Sequence, residues 1–149
     1  RRQRQMCIRD RICGKPVDNN GTYVDYLKQD KKNNCSRIVD KSDPESKRAE
    51  LEYKVLDCIR TEEKDSQYLS LVEIKLLTGR HHQIRVQFSG HGTPLYGDGK
   101  YGNNEKAVRK SLALCACHLK FKHPATGKIM DFQIKPDTGA FKLFSKSND

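Results

Sequence analysis

Nowhere in the 149 residues is there an apolar run near the roughly 18 residues that a membrane-crossing helix needs. The basic first residues are not followed by the apolar stretch of a signal peptide either. Together these absences predict a cytoplasmic protein with no membrane partner. None of the six cysteines (Cys7, Cys13, Cys35, Cys58, Cys115 and Cys117) sits in a CxxC pair. Scattered through a chain of ordinary size, they suit reduced thiols better than a disulfide framework. No segment repeats. Acidic residues are few, 19 against 29 lysines and arginines, and the formal charge of +10 points to a polyanion such as nucleic acid as partner.

The length allows one domain with a sizeable core, or part of one. Residues 1–11, RRQRQMCIRDR, hold five arginines and one aspartate and show no apolar period. They are expected to form a basic tail without regular structure. The string MCIRDR also resembles translated adapter sequence, so residues 1–11 are expected not to be native to the domain, which is placed at 12–149.

From Asn19 to Glu50 the chain is mostly polar, with Asn20-Gly21 and the run DKSDPESKR at 40–48 marking turns, and only Thr22 to Leu27 richer in apolar residues. Ala49, Leu51, Tyr53, Val55, Asp57 and Ile59 then alternate with Glu50, Glu52, Lys54, Leu56 and Cys58, the period of a half-buried strand. After the polar loop TEEKDSQ, YLSLVEIKLL puts Val72, Ile74 and Leu76 on one face and Leu69, Leu71 and Leu77 on the other. This is a more deeply buried strand and the expected hairpin partner of the first. HHQIRVQFSGHG has helical spacing, Ile84 and Phe88 lying four apart, with Gly90 and Gly92 at the C-cap. LALCACHLKF and KIMDFQIKP, joined by KHPATG, read as a second hairpin. The expected fold is α+β: a mixed, mostly antiparallel sheet with packed helices.

The stretch from Leu76 to Gly102, LLTGRHHQIRVQFSGHGTPLYGDGKYG, carries more polar groups than a core element needs: Arg80, His81, His82, Gln83, Arg85, His91 and Asp98. A strand ending in Thr-Gly-Arg and feeding a helix N-terminus brings free backbone N–H groups and a guanidinium together, which suits a phosphate. Structural glycines in turns explain the same pattern without a ligand.

This block is similar to the signature of RluA-type RNA pseudouridine synthases, in which GR is followed by one residue, then HQIRV, then a G-P-GD-YG tail. Arg80 matches the GR, His82-Gln83-Ile84-Arg85-Val86 the HQIRV, and Gly92, Pro94, Gly97, Asp98, Tyr101 and Gly102 the tail. Ala113, Leu114, Ala116, Leu119, Phe121, His123, Pro124, Thr126 and Gly127 fit the family's ending, with Cys115 in place of its usual histidine. The resemblance runs over about residues 12–136, and Gln87 after HQIRV resembles the large-subunit-type branch.

The resemblance implies isomerisation of uridine to pseudouridine in ribosomal or transfer RNA without metal or cofactor, on a pseudouridine synthase-like catalytic domain. The family's aspartate lies in an HRLD motif followed by TSG, absent from this sequence. Asp10, in RDR, is not assigned that role. The chain is therefore expected to be the C-terminal part of a catalytic domain, inactive without the N-terminal half of the same domain. Arg85 matches the arginine that pairs with the catalytic aspartate. Leu114 matches an apolar position near the target uracil, although a strand leucine is more often core. Arg80, His82 and Gln83 either position RNA backbone or brace the pocket.

Two other readings compete. A non-catalytic RNA-binding module keeps the basic charge without the aspartate. A metal site of Cys115, Cys117 and His118 with His81 or His82 meets the objection that in a strand His118 points away from the two cysteines.

Overall fold

The structure is a computed structural model and describes residues 5–62, 67–102, 111–136 and 139–144. Its strands are β1 (Gln5–Cys13), β2 (Asn20–Asp30), β3 (Cys35–Val39), β4 (Lys47–Arg60), β5 (Tyr68–Leu76), β6 (Leu114–Lys122) and β7 (Ile129–Gln133). Helix α1 spans Gln83–Gly90, and a short 3-10 turn spans Gly139–Leu143. No helix among the described residues is long and apolar enough to cross a membrane.

The strands form one sheet in the order β3-β2-β4-β5-β1-β6-β7. Every pairing among the described strands is antiparallel, so the sheet is not mixed as expected. Among the described residues one α-helix packs on it rather than several. Three of the six pairs of consecutive strands, β2–β3, β4–β5 and β6–β7, are antiparallel neighbours, and among the described residues no helical crossover returns the chain to a parallel partner. The two expected hairpins, β4–β5 and β6–β7, are present. β2 and β3 form a third, whose turn has Asn34 at φ +49° and Asp30 accepting the Asn33 N–H. Asn20-Gly21 opens β2 rather than making a turn.

Residues 5–11, expected to be an unstructured tail, lie instead in β1, hydrogen-bonded to β5 on one side and β6 on the other. Residues 1–4 fall outside the described residues, as do 63–66 of the TEEKDSQ loop. Charge alone does not keep a segment out of a sheet, because β5 and β6 would otherwise face each other with unpaired backbone groups. Ile8, 6% exposed, fixes the strand to the core.

That core lies between one sheet face and α1. Ile8, Leu51, Tyr53, Val72 and Ile74 pack against Ile84 and Phe88 of the helix and Leu95 beyond it. The alternation in β4 holds to Val55, where a register shift between Val55 and Asp57 leaves Leu56 exposed. At the other end of the sheet, Leu114, Ile129, Phe132 and Ile134 are exposed.

Candidate functional site

Helix α1 is short and its ends are closed by its own residues. His82, at the N-cap, takes the left-handed conformation (φ +51°), which is rare for a residue with a Cβ. The side chain of Gln83 turns back so that its Oε1 accepts from the Arg80 N–H (2.9 Å) and the Thr78 hydroxyl (2.8 Å), while Nε2 donates to the Glu50 carbonyl (3.1 Å). At the C-terminus, Gly92 (φ +84°) donates to Ser89 and Thr93 to Phe88, a Schellman closure that only glycine adopts readily.

With its ends fixed, the helix points Arg85 at the loop Leu95–Gly102. Arg85 Nε and Nη2 donate to Asp98 Oδ2 and Oδ1 at 2.9 and 2.7 Å, a bidentate pair. Asp98 is buried, and its Oδ1 also accepts the backbone N–H groups of Lys100 (3.0 Å) and Tyr101 (3.1 Å). Burial by itself would raise the Asp98 carboxyl; Arg85 and the two N–H groups outweigh it, and the acid is held below the usual carboxylate range. The same ion pair pushes the Arg85 guanidinium up. Gly97 (φ +77°) permits the turn that carries Asp98, and a Cβ there would run into the Ser111 carbonyl.

Tyr101 joins this pair to the histidines. Its ring lies over the Arg85 guanidinium (4.9 Å), and its hydroxyl accepts the Ser36 N–H (2.9 Å) and lies 2.7 Å from His82 Nδ1. Burial first, and then electrostatic repulsion from His81, Arg85 and Lys100, push His82 below its ordinary pKa, which favours the neutral ring that can accept a hydrogen bond from the Tyr101 hydroxyl. His82 stacks on His81 (3.8 Å between centroids), whose ring nitrogens meet Ser36 Oγ (2.8 Å) and Asn34 Oδ1 (3.1 Å). The β2–β3 hairpin is thereby tied to Arg85.

The structure therefore brings Arg80, His82, Gln83 and Arg85 together around the start of α1. Gln83 is buried and engaged by three protein groups, and Arg80 is anchored through Nε to the Arg48 carbonyl (2.9 Å). Leu114 is not core: it is 40% exposed, and it follows Ala113, whose N–H donates to Tyr96 in the loop that carries Asp98. Gln87 is wholly buried and donates to Asp25 Oδ2 at 2.7 Å. Among the described residues no three His, Cys, Asp or Glu side chains converge on a point that would hold a metal. Sequence reasoning did not anticipate Ser36 and Asn34, which act across the sheet and carry no local signal, nor Asp98 as the partner of Arg85.

Comparison with known proteins places these residues in a family context. The family model described as RNA pseudouridylate synthase matches residues 6–90. Ribosomal large subunit pseudouridine synthase D of Zymomonas mobilis is 37% identical over 110 residues, covering 68% of this chain and 32% of that protein. Ribosomal large subunit pseudouridine synthase C of Rickettsia bellii is 30% identical over 123 residues, covering 82% and 38%. The dual-specificity RNA pseudouridine synthase RluA of Yersinia pestis is 35% identical over 92 residues, covering 61% and 42%. The chain thus spans about a third of the length of such relatives. Among solved structures, Human RNA Pseudouridylate Synthase Domain Containing 1 superposes with a TM-score of 0.74 at 20% identity, over 90% of this chain and 55% of that one, which establishes the shared fold.

Proposed function

Because the chain belongs to the RNA pseudouridylate synthase family, we propose that it supplies the Arg85 side of an active site that isomerises uridine to pseudouridine in ribosomal or transfer RNA. The observation that carries this reading is the Arg85–Asp98 pair at the mouth of α1. Breaking a glycosidic bond and re-forming it at carbon calls for a positioned carboxylate acting as nucleophile or base. Asp98 does not fill that role, since it is buried and both its oxygens are already engaged. The catalytic carboxylate comes from the family's HRLD motif, which this sequence lacks, and so from an N-terminal half of the same domain that completes the site.

In that assembly Arg85 is a positioning residue. A guanidinium has five N–H donors and Asp98 uses two, which leaves donors to hold a second carboxylate ionised and in place. Tyr101 and His82 fix the plane of the guanidinium, and Gln83 braces the turn. Arg80 faces RNA backbone, and Leu114 offers an apolar contact to a uracil flipped from its stack. Metal and cofactor have no part in this scheme, and the setting is cytoplasmic.

The test is pseudouridine formation in ribosomal and transfer RNA transcripts, by the chain alone and by the chain fused to the N-terminal segment of the Zymomonas relative. Turnover by the fusion, abolished in its R85A form, is the expected result. An active fusion indifferent to R85A would remove Arg85 from the site. RNA binding without turnover in the fusion would favour the second reading, a non-catalytic RNA-binding module, for which the formal charge of +10 argues.

A further inference from the structure

On the far side of the histidine pair from Arg85 lies a cavity of about 460 Å³ between the β2–β3 hairpin, the start of β4 and the turn before α1. Lys31, Lys47, Arg80 and His81 line it, with Glu45 as its acid. Glu45 is already engaged by Lys28 at 2.6 Å, and Lys28 also holds Asp43 at 3.3 Å. Among the described residues neither lysine nor Arg80 has an acidic partner within 4 Å. Arg80 Nε is tied to the Arg48 carbonyl, so the guanidinium is held in place while its two terminal amino groups stay open. A second cavity of about 420 Å³ shares Gln29, Lys31 and Glu45 and adds Lys28, Arg37 and a second acid, Asp30.

Such a lining does not suit the apolar small molecules that pockets of this size commonly hold. Unpaired cations around a concave, solvent-open space attract phosphate, and the volume admits more than one phosphate group. The cavity is also wired to the site described above. His81 lines it and stacks on His82, His82 meets Tyr101, and Tyr101 covers Arg85.

We propose that this cavity is a subsite for consecutive phosphodiester groups of the RNA strand flanking the target nucleotide, held by Lys31, Lys47 and Arg80 without reading a base. The proposal rests on the RNA reading above and adds to it a second, sequence-independent contact on the hairpin side.

The experiment measures binding of a uridine-loop RNA hairpin to the full chain by fluorescence anisotropy across a salt series, together with binding of inorganic tripolyphosphate. The variants are K31Q/K47Q and, as a control on exposed lysines of the β6–β7 hairpin, K120Q/K128Q; thermal unfolding confirms that both fold as the parent does. Each phosphate contact contributes about 0.7 to 0.9 to the slope of log K against log salt. K31Q/K47Q is therefore expected to lower the slope by about 1.5 and the control to leave it unchanged. Tripolyphosphate should bind the parent and not K31Q/K47Q. If the parent binds RNA and K31Q/K47Q keeps the full slope, the subsite is overturned while the RNA reading stands. If tripolyphosphate binding depends on the lysines but neither the parent nor the fusion enzyme binds RNA, the RNA assignment falls and with it the reading it rests on.

Discussion

Asp98 grips Arg85 through both carboxylate oxygens, at 2.7 and 2.9 Å, from a fully buried position. Removing one partner of such a pair leaves a largely buried charge uncompensated, a loss of about 3 kcal/mol. D98N, which keeps the shape of the side chain, should lower stability by that amount in denaturant titration. In D98N/R85M, where neither charge remains, part of the loss should return. A D98N chain within about 0.5 kcal/mol of the parent would mean the pair adds little to the fold.

His82 carries a pH signature. Its folded pKa lies below the ordinary 6.5, first because it is buried and then because His81, Arg85 and Lys100 surround it. Below pH 6.5 the unfolded chain takes up a proton that the folded chain resists, so stability should fall as pH drops from about 6.5 through the folded value. H82N, which tolerates the left-handed backbone, should flatten that part of the profile. Equal slopes for parent and variant between pH 7.5 and 5.5 would contradict the assignment.

Two glycines of the signature region should respond oppositely to alanine. At Gly97 the backbone has φ +77° and a Cβ would meet the Ser111 carbonyl, so G97A should destabilise by about 2 kcal/mol or more. At Gly79 nothing lies within 4 Å of an added Cβ, and G79A should be neutral or stabilising by up to about 1 kcal/mol. Melting temperatures of the two single variants decide the matter; similar shifts would mean the Asp98 loop is more adaptable than its geometry implies.

Leu114 separates a binding role from a packing role. At 40% exposure, L114A should change stability by less than about 1 kcal/mol, well short of the 2 kcal/mol or more of a core leucine. In the fusion enzyme the same change should slow pseudouridine formation if the side chain meets the uracil. A large loss of stability with unchanged turnover per folded molecule would return Leu114 to the core.

Much of this was legible in the residues. The alternation from Ala49 to Tyr53 and around Val72 and Ile74 gave β4 and β5, because a one-sided core imposes a period of two on any strand that lines it. Ile84 and Phe88 gave α1, and Gly92 marked its end, because few residues other than glycine accept a positive φ. The signature alone places Arg80, His82, Gln83 and Arg85 in one short segment.

Other features were decided only by tertiary contact. The basic first eleven residues, with five arginines, carry no local signal for a strand, and only pairing with β5 and β6 makes residues 5–13 one. Leu114 reads as core in any strand pattern, and its exposure depends on what lies over that face. Arg85 could have met any acid. Its pairing with Asp98 follows from the loop Leu95–Gly102 folding back on α1, and the reach of Ser36 and Asn34 to Tyr101 and His81 from folding the β2–β3 hairpin over the start of the helix. Sequence sets local period, turn chemistry and the inventory of reactive groups; which groups meet is fixed by long-range packing, which no local pattern encodes.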